Sequence, residues 1–480
     1  MPAKLEIRWW NGRVVGHLLN RGSNFFAYDP AWLELGHNLS PLKLPFTAAV
    51  YNAGKEEDGL PGLLADCLPD AWGRKVAALH FAAQKLGPLS AVNLLAWRDS
   101  RGLGALQIHP ARGDDGLPPA KVAVITAAAL ARGAAAIQRG APGIVMPQLL
   151  PGASAGGAYP KTLVLAYDDG TIAIGSPDGM GMPALLKFDL STRGGLAACE
   201  HAYALMSKAA GIRTVSTQMI AESPKKKRLH LLVQRFDVPA GDVTRRIHFH
   251  SLARLMHYDH QRTGRLLDYL DLFRAALQLA VPLPELREIA RRMVFNVLAA
   301  NPDDHGRNHA FQYDEERRTW SLTPAFDVTF HSGLLDRGLR VNGEVWPRLG
   351  VLEAMCREVG ITKTEFAELV DAVQGAIGRW GHFAKLAGVP KEISAEARSW
   401  HRRIRESVGG HCRASEDSGG SSLLRDLGGI SFRVGEDGAH SRGRPPETPG
   451  RLRDVFSWAL CVDDLPNCGT MTEHKGHTRR

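Results

Sequence analysis

Cysteine is scarce in this chain of 480 residues, and its placement excludes the usual cysteine-based centres. The six cysteines are scattered and none belongs to a Cys-x-x-Cys pair, which argues against a zinc ribbon and against a thioredoxin-like redox motif. We expect reduced thiols at these positions, which are Cys67, Cys199, Cys356, Cys412, Cys461 and Cys468.

Long apolar runs are also missing from the chain. No stretch of about eighteen apolar residues occurs, so the sequence predicts no transmembrane helix. The first six residues lead into a strand-like segment without the apolar core of a signal peptide, which favours a cytoplasmic protein with no membrane partner. A hydrophobic fraction of 44% and a charged fraction of 23% are typical of a globular protein, and the length allows about two or three domains.

Four histidines near residue 250 do not form a recognisable zinc motif. His248, His250, His257 and His260 lack the His-Glu-x-x-His spacing, and no carboxylate between them is placed as a general base. We therefore expect these histidines to have structural roles and not to bind a metal.

The formal charge of +9 does not by itself predict a nucleic-acid-binding protein. The basic run Lys225-Lys226-Lys227-Arg228 could contact nucleic acid, but the strand pattern beside it favours the exposed turn of a hairpin. Residues 406–480 contain three Gly-Gly steps and an Arg-Gly-Arg-Pro-Pro run, which break any periodicity. We interpret them as a low-complexity tail and assign them no function.

The first 145 residues are predicted to form a β-rich N-terminal subdomain. Residues 5–19 alternate as two strands around an Asn-Gly turn, and residues 24–30 have the pattern of a third strand. The pattern becomes helical over residues 62–74, and the alanine-rich residues 120–138 predict one helix or a pair of helices. We place a domain boundary near residue 145.

A second region, residues 146–405, is predicted to begin with strands and to continue with helices. The strands are expected at residues 162–166, 183–189 and 229–237, and a helix is expected at residues 197–210. From residue 266 to about 405 the pattern is largely helical, with interruptions in loops.

Three features of this second region have both a phosphate-binding and a plain interpretation. The small residues of 151–161 would let backbone N–H groups approach phosphate oxygens, although such loops are common without that role. Lys187, in an apolar strand, either pairs with nucleotide phosphates or only extends its stem along the strand. Glu200, on the following helix, either orients Lys187 or reflects the preference of acids for helix N-termini.

The stretch Asn301-Pro302-Asp303-Asp304-His305-Gly306-Arg307-Asn308 carries the strongest chemical pattern. An Asp, an Asn five positions later and a further Asp at 327 are the arrangement with which protein kinases transfer phosphoryl groups. Asp303 would accept or orient the proton of the attacking hydroxyl, while Asn308 and Asp327 would supply hard oxygen ligands for Mg²⁺. The alternative is a plain turn, since these residue types also gather in turns for local hydrogen-bonding reasons.

With these motifs in order, the chain resembles the HipA family of serine/threonine kinase toxins over residues 1 to about 400. Ser154-Ala155-Gly156-Gly157-Ala158-Tyr159-Pro160-Lys161 is similar to the family's serine-bearing nucleotide loop, and Gln234-Arg235-Phe236-Asp237 to its Glu-Arg-Phe-Asp hinge. The segment from Asp303 to Asn308 matches its Asp-x-His-x-Lys-Asn pattern except that Arg307 replaces the Lys, as Gln234 replaces the Glu of the hinge. Phe326-Asp327-Val328 stands for its metal-binding triplet. Leu68-Pro69-Asp70-Ala71-Trp72-Gly73-Arg74 also resembles a motif of its first subdomain.

The resemblance implies a mixed α/β (α+β), protein-kinase-like fold with two lobes. A HipA-type N-terminal subdomain at residues 1–145 would precede a kinase domain at residues 146–405, whose C-terminal lobe is largely helical. In the family pattern Asp303 is the catalytic residue, Glu200 orients the lysine, and Ser154 is an autophosphorylation site. The ATP-binding residues would be Gly156, Gly157, Ala158, Tyr159, Pro160, Lys161, Lys187, Gln234, Arg235, Phe236, His305, Arg307, Asn308 and Asp327, with Mg²⁺ held by the last two.

The implied function is ATP- and Mg²⁺-dependent phosphorylation of a serine or threonine on a protein, such as an aminoacyl-tRNA synthetase, by the toxin of a toxin-antitoxin module. A small helix-turn-helix antitoxin would be the partner, and DNA would be contacted only through it. Two alternatives stay open, because a fold does not fix its acceptor. One is a small-molecule kinase on the same scaffold, and the other is a non-catalytic co-repressor that acts with the antitoxin.

Overall fold

The structure is a computed structural model that describes most of the chain up to residue 408. The described residues are 4–52, 54, 59–98, 102–110, 122–140, 149, 159–175, 180–223, 226–258, 266–332 and 336–408. Ser154, Gly156, Gly157, Ala158, Lys225 and His260 lie outside this set, as does nearly all of the predicted tail.

An antiparallel sheet of four strands opens the chain and confirms the predicted hairpin. The strands are β1 (Lys4–Trp9), β2 (Val14–Asn20), β3 (Asn24–Tyr28) and β4 (Leu106–Pro110), in the order β3-β2-β1-β4. Alternate residues of β1, namely Leu5, Ile7 and Trp9, are buried, as expected for a strand with one face on a core.

The described residues between β3 and β4 form four helices, and one predicted helix is interrupted. They are α1 (Pro30–Leu35), α2 (Gly62–Ala65), α3 (Ala71–Gln84) and α4 (Ala91–Arg98). The prediction of continuous helix over residues 62–74 is therefore wrong at its centre. Pro69 explains the break, because the residue before a proline is disfavoured in helical conformation, and α3 begins only after an extended Asp70.

The second sheet has six strands in the order β5-β7-β6-β8-β10-β9, and all of its described neighbours are antiparallel. Helix α5 (Ala127–Gln138) follows its first strand, and α6 (Leu196–Ala209) lies in the chain between β8 and β9. The strands are β5 (Ala123–Ile125), β6 (Lys161–Ala166), β7 (Ile172–Ile174), β8 (Met182–Lys187), β9 (Thr217–Ser223) and β10 (Lys226–Gln234).

At this sheet the structure differs from the sequence analysis in the extent of the helix predicted at residues 120–138 and in the position of the boundary near residue 145. The predicted helix over residues 120–138 starts only at Ala127, after Thr126 accepts a capping hydrogen bond from the Ala129 N–H, and the residues before it form β5. Because β5 pairs with β7, the predicted boundary near residue 145 cuts across one sheet. The predicted hairpin of β9 and β10 is confirmed, but Lys226 already belongs to β10 and pairs opposite Ser223.

The remaining described residues form a mainly helical region with a small third sheet. Its strands β11 (His248–Ser251), β12 (Ala310–Asp314) and β13 (Thr319–Leu322) are antiparallel, and the last two were not anticipated in a region predicted to be largely helical. The helices are α7 (Leu252–Leu255), α8 (Tyr269–Gln278), α9 (Leu283–Leu298), α10 (Leu349–Glu358), α11 (Lys363–Gly378), α12 (Trp380–Ala387) and α13 (Lys391–Val408).

The histidines of the third sheet contact residues from the beginning of the chain. The His248 ring lies 3.0 Å from the Leu39 carbonyl oxygen, and burial lowers its pKa to about 3. His250 Nδ1 lies 2.6 Å from the Asp66 carboxylate. Among the described residues no group of three or more His, Cys, Asp or Glu is arranged to hold a metal, and none of the described helices has the length and apolar character needed to span a bilayer.

Candidate active site

The centre of the site is a lysine between two carboxylates. Lys187 ends β8, and its Nζ lies 2.6 Å from Glu200 Oε1 and also donates to Asp327 Oδ1. Burial disfavours the ammonium, yet the carboxylates of Asp327 and Glu200 raise the pKa of Lys187 above its ordinary value. The lysine is therefore a fixed cation and not a strand residue that only extends its stem towards solvent.

Contacts of helix α6 with the end of β8 and with β10 position Glu200 beside Lys187. Asp189, which follows β8, accepts a hydrogen bond from the Ala197 N–H in the first turn of α6. Ala197 packs against Leu231 of β10, and Leu231 is paired directly with Lys187 in the sheet. The loop contact and the sheet register together place the carboxylate of Glu200 at the end of β8.

Asp327 adopts an uncommon backbone conformation beside this lysine. Its φ is +55°, in the left-handed region, which costs a residue with a side chain roughly 1 kcal/mol. Ala325, two residues before Asp327, is held by backbone hydrogen bonds. Its carbonyl accepts from the Val215 N–H (3.0 Å), and its N–H donates to the Arg213 carbonyl (2.7 Å). Although burial would raise it, the pKa of Asp327 falls to about 2 because Lys187 and Lys161 stabilise the carboxylate.

Lys161 is the second lysine of the site. It pairs opposite Lys187 across β6 and β8 and is almost fully buried. Burial lowers its pKa to about 8, with Asp327 opposing this effect and Lys187 adding to it. The two lysines and the carboxylates of Asp327 and Glu200 therefore form one electrostatic cluster.

The loop that contains Asp303 begins just after α9. Asn308 closes it, since its side-chain amide donates to the Asp303 carbonyl (2.8 Å) and its backbone N–H to the His305 carbonyl (2.8 Å). Burial raises the pKa of the Asp303 carboxyl above its ordinary value, and His305 and His331 counteract this only in part. A raised pKa makes the carboxylate a better proton acceptor for a bound hydroxyl.

Asp304, the neighbour of Asp303, was not recognised as important from the sequence. Its buried carboxylate accepts hydrogen bonds from the Tyr269 hydroxyl (2.7 Å) and from the Arg337 guanidinium (2.8 Å). Gly338 packs closely against the loop that contains Asp303 and Asp304. A Cβ at residue 338 would lie 2.2 Å from the backbone nitrogen of His305. The paired Asp-Asp was the available sign, because a second carboxylate beside Asp303 needs partners of its own if it is buried.

Asn308 and Asp327 line the same small cavity of about 20 Å³, which also borders Asp304. That volume is enough for one species the size of a water molecule or ion. The Asn308 and Asp327 side chains offer oxygen donors of the kind that Mg²⁺ prefers, and Mg²⁺ is commonly held by one or two such ligands together with phosphate oxygens. The residues present therefore fit a magnesium ion.

The predicted hinge residues are partly committed to contacts inside the protein. The backbone N–H groups of Gln234 and Arg235 donate to carbonyls of Ser216 and Pro183. The Arg235 guanidinium holds the Asp237 carboxylate at 3.0 and 2.6 Å. These N–H groups are therefore not the donors to adenine that a hinge would offer.

Phe236, the next residue of the predicted hinge, contacts the segment that contains Asp327. Its ring stacks on Phe326 at 5.7 Å, with an angle of 21° between the planes, and it meets Phe249 edge-on at 5.1 Å. The hinge and Asp327 are therefore joined through adjacent aromatic rings.

The other predicted nucleotide residues are placed as follows. Tyr159 is exposed, and the Pro160 carbonyl accepts from the Phe188 N–H, which continues the β6–β8 ladder. His305 lies 3.8 Å from the Asp303 carboxylate. Arg307 forms an ion pair with Asp70, so its guanidinium faces the N-terminal part of the chain.

Two family models match this chain. Residues 6–109 match the HipA N-terminal domain, and residues 153–380 match the HipA-like C-terminal domain, so the two matches together span well over half of the chain. The chain belongs to the HipA family. Both parts of the resemblance seen in the motifs are thus confirmed.

Two named relatives and a solved structure are similar to this chain. “Putative kinase Y4dM” of Sinorhizobium fredii is 26% identical over 354 residues, covering 68% of this chain and 76% of the relative. “Putative kinase Y4mE” of the same organism is 24% identical over 401 residues, covering 77% and 90%. The HipA chain of the Shewanella oneidensis complex of HipA, HipB and operator DNA superposes with a TM-score of 0.64 at 17% identity, covering 85% of this chain and 97% of that one. The mixed α/β, kinase-like HipA fold predicted from the sequence is confirmed.

Proposed function

We propose that this HipA-family protein is an ATP- and Mg²⁺-dependent kinase that phosphorylates serine or threonine on a protein. The observation that carries the proposal is the Lys187 ammonium, held at 2.6 Å from Glu200 and paired with Asp327, beside the loop of Asp303 and Asn308. Kinases use a strand lysine, a helix glutamate, a loop Asp–Asn pair and a later Asp for phosphoryl transfer. All five residue types lie together in this fold.

Each residue has a task in this scheme. Lys187, and Lys161 beside it, would stabilise the negative charge of ATP phosphates, and Glu200 keeps Lys187 in place. Asn308 and Asp327 would hold Mg²⁺, which supplies further positive charge to the phosphates. Asp303 would orient the acceptor hydroxyl and take up its proton, a task for which its raised pKa is favourable.

A protein is the acceptor we favour. The Asp303 side chain is 39% exposed, so a hydroxyl carried on a macromolecule can reach it from outside. By the family resemblance we propose a translation component such as an aminoacyl-tRNA synthetase as the substrate, with this chain as the toxin of a toxin-antitoxin module. The similar HipA of Shewanella oneidensis occurs in a complex with HipB and operator DNA, which supports a helix-turn-helix antitoxin as partner and DNA contact through it.

Two other functions compete with this one. A small-molecule kinase would use the same residues, and only its acceptor would differ. A non-catalytic co-repressor would not need the charged cluster. Burying Lys161 and Lys187 beside Asp327 and Glu200 requires close charge compensation, a costly arrangement for a protein that only binds a partner.

The decisive experiment is transfer from labelled ATP. Purified protein is incubated with Mg²⁺ and γ-labelled ATP in a bacterial lysate, and labelled acceptors are identified by mass spectrometry. We expect phosphoserine or phosphothreonine on one dominant protein, lost in Lys187→Met and retained in the matched control Lys208→Met, an exposed lysine on α6. A labelled small molecule would favour the first alternative, and no label in any fraction would favour the co-repressor.

A further inference from the structure

The Asp70 side chain does not cap its own helix and instead contacts Arg307 in the catalytic loop. It occupies the N-cap position of α3, but its side chain makes no capping hydrogen bond to that helix. Its carboxylate instead accepts from the Arg307 guanidinium, 237 positions further along the chain. A capping Asp contributes roughly 1 kcal/mol, so the ion pair with Arg307 replaces a contact that was available locally. Arg307 directly precedes Asn308, one of the two residues that would hold Mg²⁺.

Trp72, two residues after Asp70, reaches the other side of the site. Its indole N–H donates to the Lys161 carbonyl oxygen at 2.9 Å. The ring is buried and packs in the core that also contains Val164 of β6 and Leu186 of β8. Trp72 therefore fixes the point at which β6 begins, directly beside the buried lysine cluster.

Asp66, at the end of α2, makes a second connection to the catalytic loop. Its carboxylate accepts from the Ser251 N–H (2.7 Å) and hydroxyl (2.7 Å). Ser251 caps α7, and the Ala253 N–H in that helix donates to the Gly306 carbonyl at 3.0 Å. Gly62 allows the close approach of α2 to α7, since a Cβ there would lie 1.9 Å from the Arg254 carbonyl oxygen.

We propose that residues 66–74 are a positioning element, which ties the nucleotide strand β6 to the catalytic loop and makes the N-terminal subdomain part of the catalytic unit. Its direct contacts with the two sides of the site are those of Asp70 and Trp72, and Asp66 adds an indirect connection to the catalytic loop through Ser251 and α7. The inference rests on the proposed kinase function, but its structural part, the restraint of the loop, holds whatever the acceptor is.

The two contacts should have separable kinetic effects. Asp70→Asn leaves the lysine cluster intact but releases Arg307, so kcat should fall roughly a hundredfold while the Kd for Mg-ATP stays within about twofold. Trp72→Phe keeps an aromatic ring in the core but removes the N–H together with the five-membered ring of the indole, so the Kd for Mg-ATP should rise at least about fivefold, the equivalent of the one lost hydrogen bond. Asp314→Asn, which removes the exposed pair with Arg317, is the matched control and should change neither constant.

A double-mutant cycle tests whether Asp70 acts through Arg307. Asp70→Asn, Arg307→Gln and the double variant should lose kcat to the same extent, and Arg307→Lys, which keeps a cation, should recover most of it. If Arg307→Gln instead raises the Kd for Mg-ATP while Asp70→Asn does not, Arg307 contacts phosphate directly and the positioning role is wrong.

Amide hydrogen exchange gives a readout that needs no activity. In the peptide covering residues 303–309, Asp70→Asn should speed exchange about tenfold or more relative to wild type and Asp314→Asn, because a charge-assisted hydrogen bond no longer holds the loop. Unchanged exchange in that peptide overturns the inference. If wild-type protein transfers no phosphate but the loop still loosens in Asp70→Asn, the proposed function fails while the positioning element stands.

Discussion

Lys161 and Lys187 lie directly opposite each other on the antiparallel strands β6 and β8, and both are buried. Directly opposed residues of an antiparallel pair project from the same face of the sheet, so two ammonium groups share one environment. The carboxylates of Asp327 and Glu200 compensate their charge. Under the proposed function, these two cations would face the phosphates of ATP.

The first prediction concerns the pH dependence of stability caused by Lys161. Its pKa is about 8 in the folded protein and about 10.5 in an unfolded chain, so between these values the unfolded state binds more protons. The free energy of unfolding of the wild type should therefore rise with pH through this window relative to Lys161→Met, by about 1–3 kcal/mol in total. Urea denaturation at several pH values measures the difference. Parallel pH profiles would show that Lys161 keeps an ordinary pKa.

The second prediction separates the roles of the two acids. Asp303→Asn and Asp327→Asn should each reduce phosphoryl transfer by at least a thousandfold, because one removes the proton acceptor and the other a metal ligand. Only Asp327→Asn should strongly weaken binding of Mg-ATP, as measured by titration calorimetry. Equal loss of affinity in both variants would mean that the roles are assigned wrongly. Asp314→Asn serves as the unaffected control.

The third prediction concerns the cost of removing Lys187. Lys187→Met leaves Glu200 and Asp327 without the cation they share, so we expect lost activity and a destabilisation of about 3 kcal/mol, with native circular dichroism retained. Combining it with Glu200→Gln removes one unpaired charge and should recover part of the stability but none of the activity. Chemical denaturation of the two variants provides the comparison. Recovery of phosphoryl transfer in the double variant would contradict the assigned role.

The fourth prediction concerns Ser154, which lies outside the described residues. A phosphate there would add about −1.5 to −2 charges to the predicted nucleotide loop, and if that loop contacts ATP as proposed, repulsion should disfavour nucleotide binding. After incubation with Mg-ATP, mass spectrometry should find phosphate on Ser154 of the wild type and not of Asp303→Asn. The modified form should bind ATP poorly. Normal binding and turnover by the phosphorylated protein would disprove this switch.

Much of the site was accessible from the sequence because its pieces are local. Asp303 and Asn308 close one loop through a hydrogen bond that spans five positions, and residue type and spacing suffice to predict such a loop. Lys187 and Glu200 belong to a strand and to the next helix, whose patterns are strong. The hairpin of β1 and β2 follows from strict alternation around an Asn-Gly turn in the same way.

Other features depended on contacts between distant segments. Lys161 was assigned from its loop, but only the register of β6 against β8 places it opposite Lys187 and buries it, and burial causes its lowered pKa. The side-chain directions of Arg235 and Arg307 were also undetermined, and both guanidinium groups contact carboxylates of the protein. Long side chains take the partner that packing provides, and sequence spacing does not specify it.

The sequence by itself determined most strands and helices and the residue types of the proposed chemistry, because strand alternation, helical periodicity and short loop motifs act over a few positions. The family and the kinase-like fold came from the resemblance that the ordered motifs carry. Only the tertiary structure decided that Asp70 meets Arg307, that Asp304 supports the loop on which Asp303 lies, and that a strand before residue 145 joins the larger sheet. These contacts join residues far apart in the chain. They form only when the core packs, so no local pattern could have fixed them.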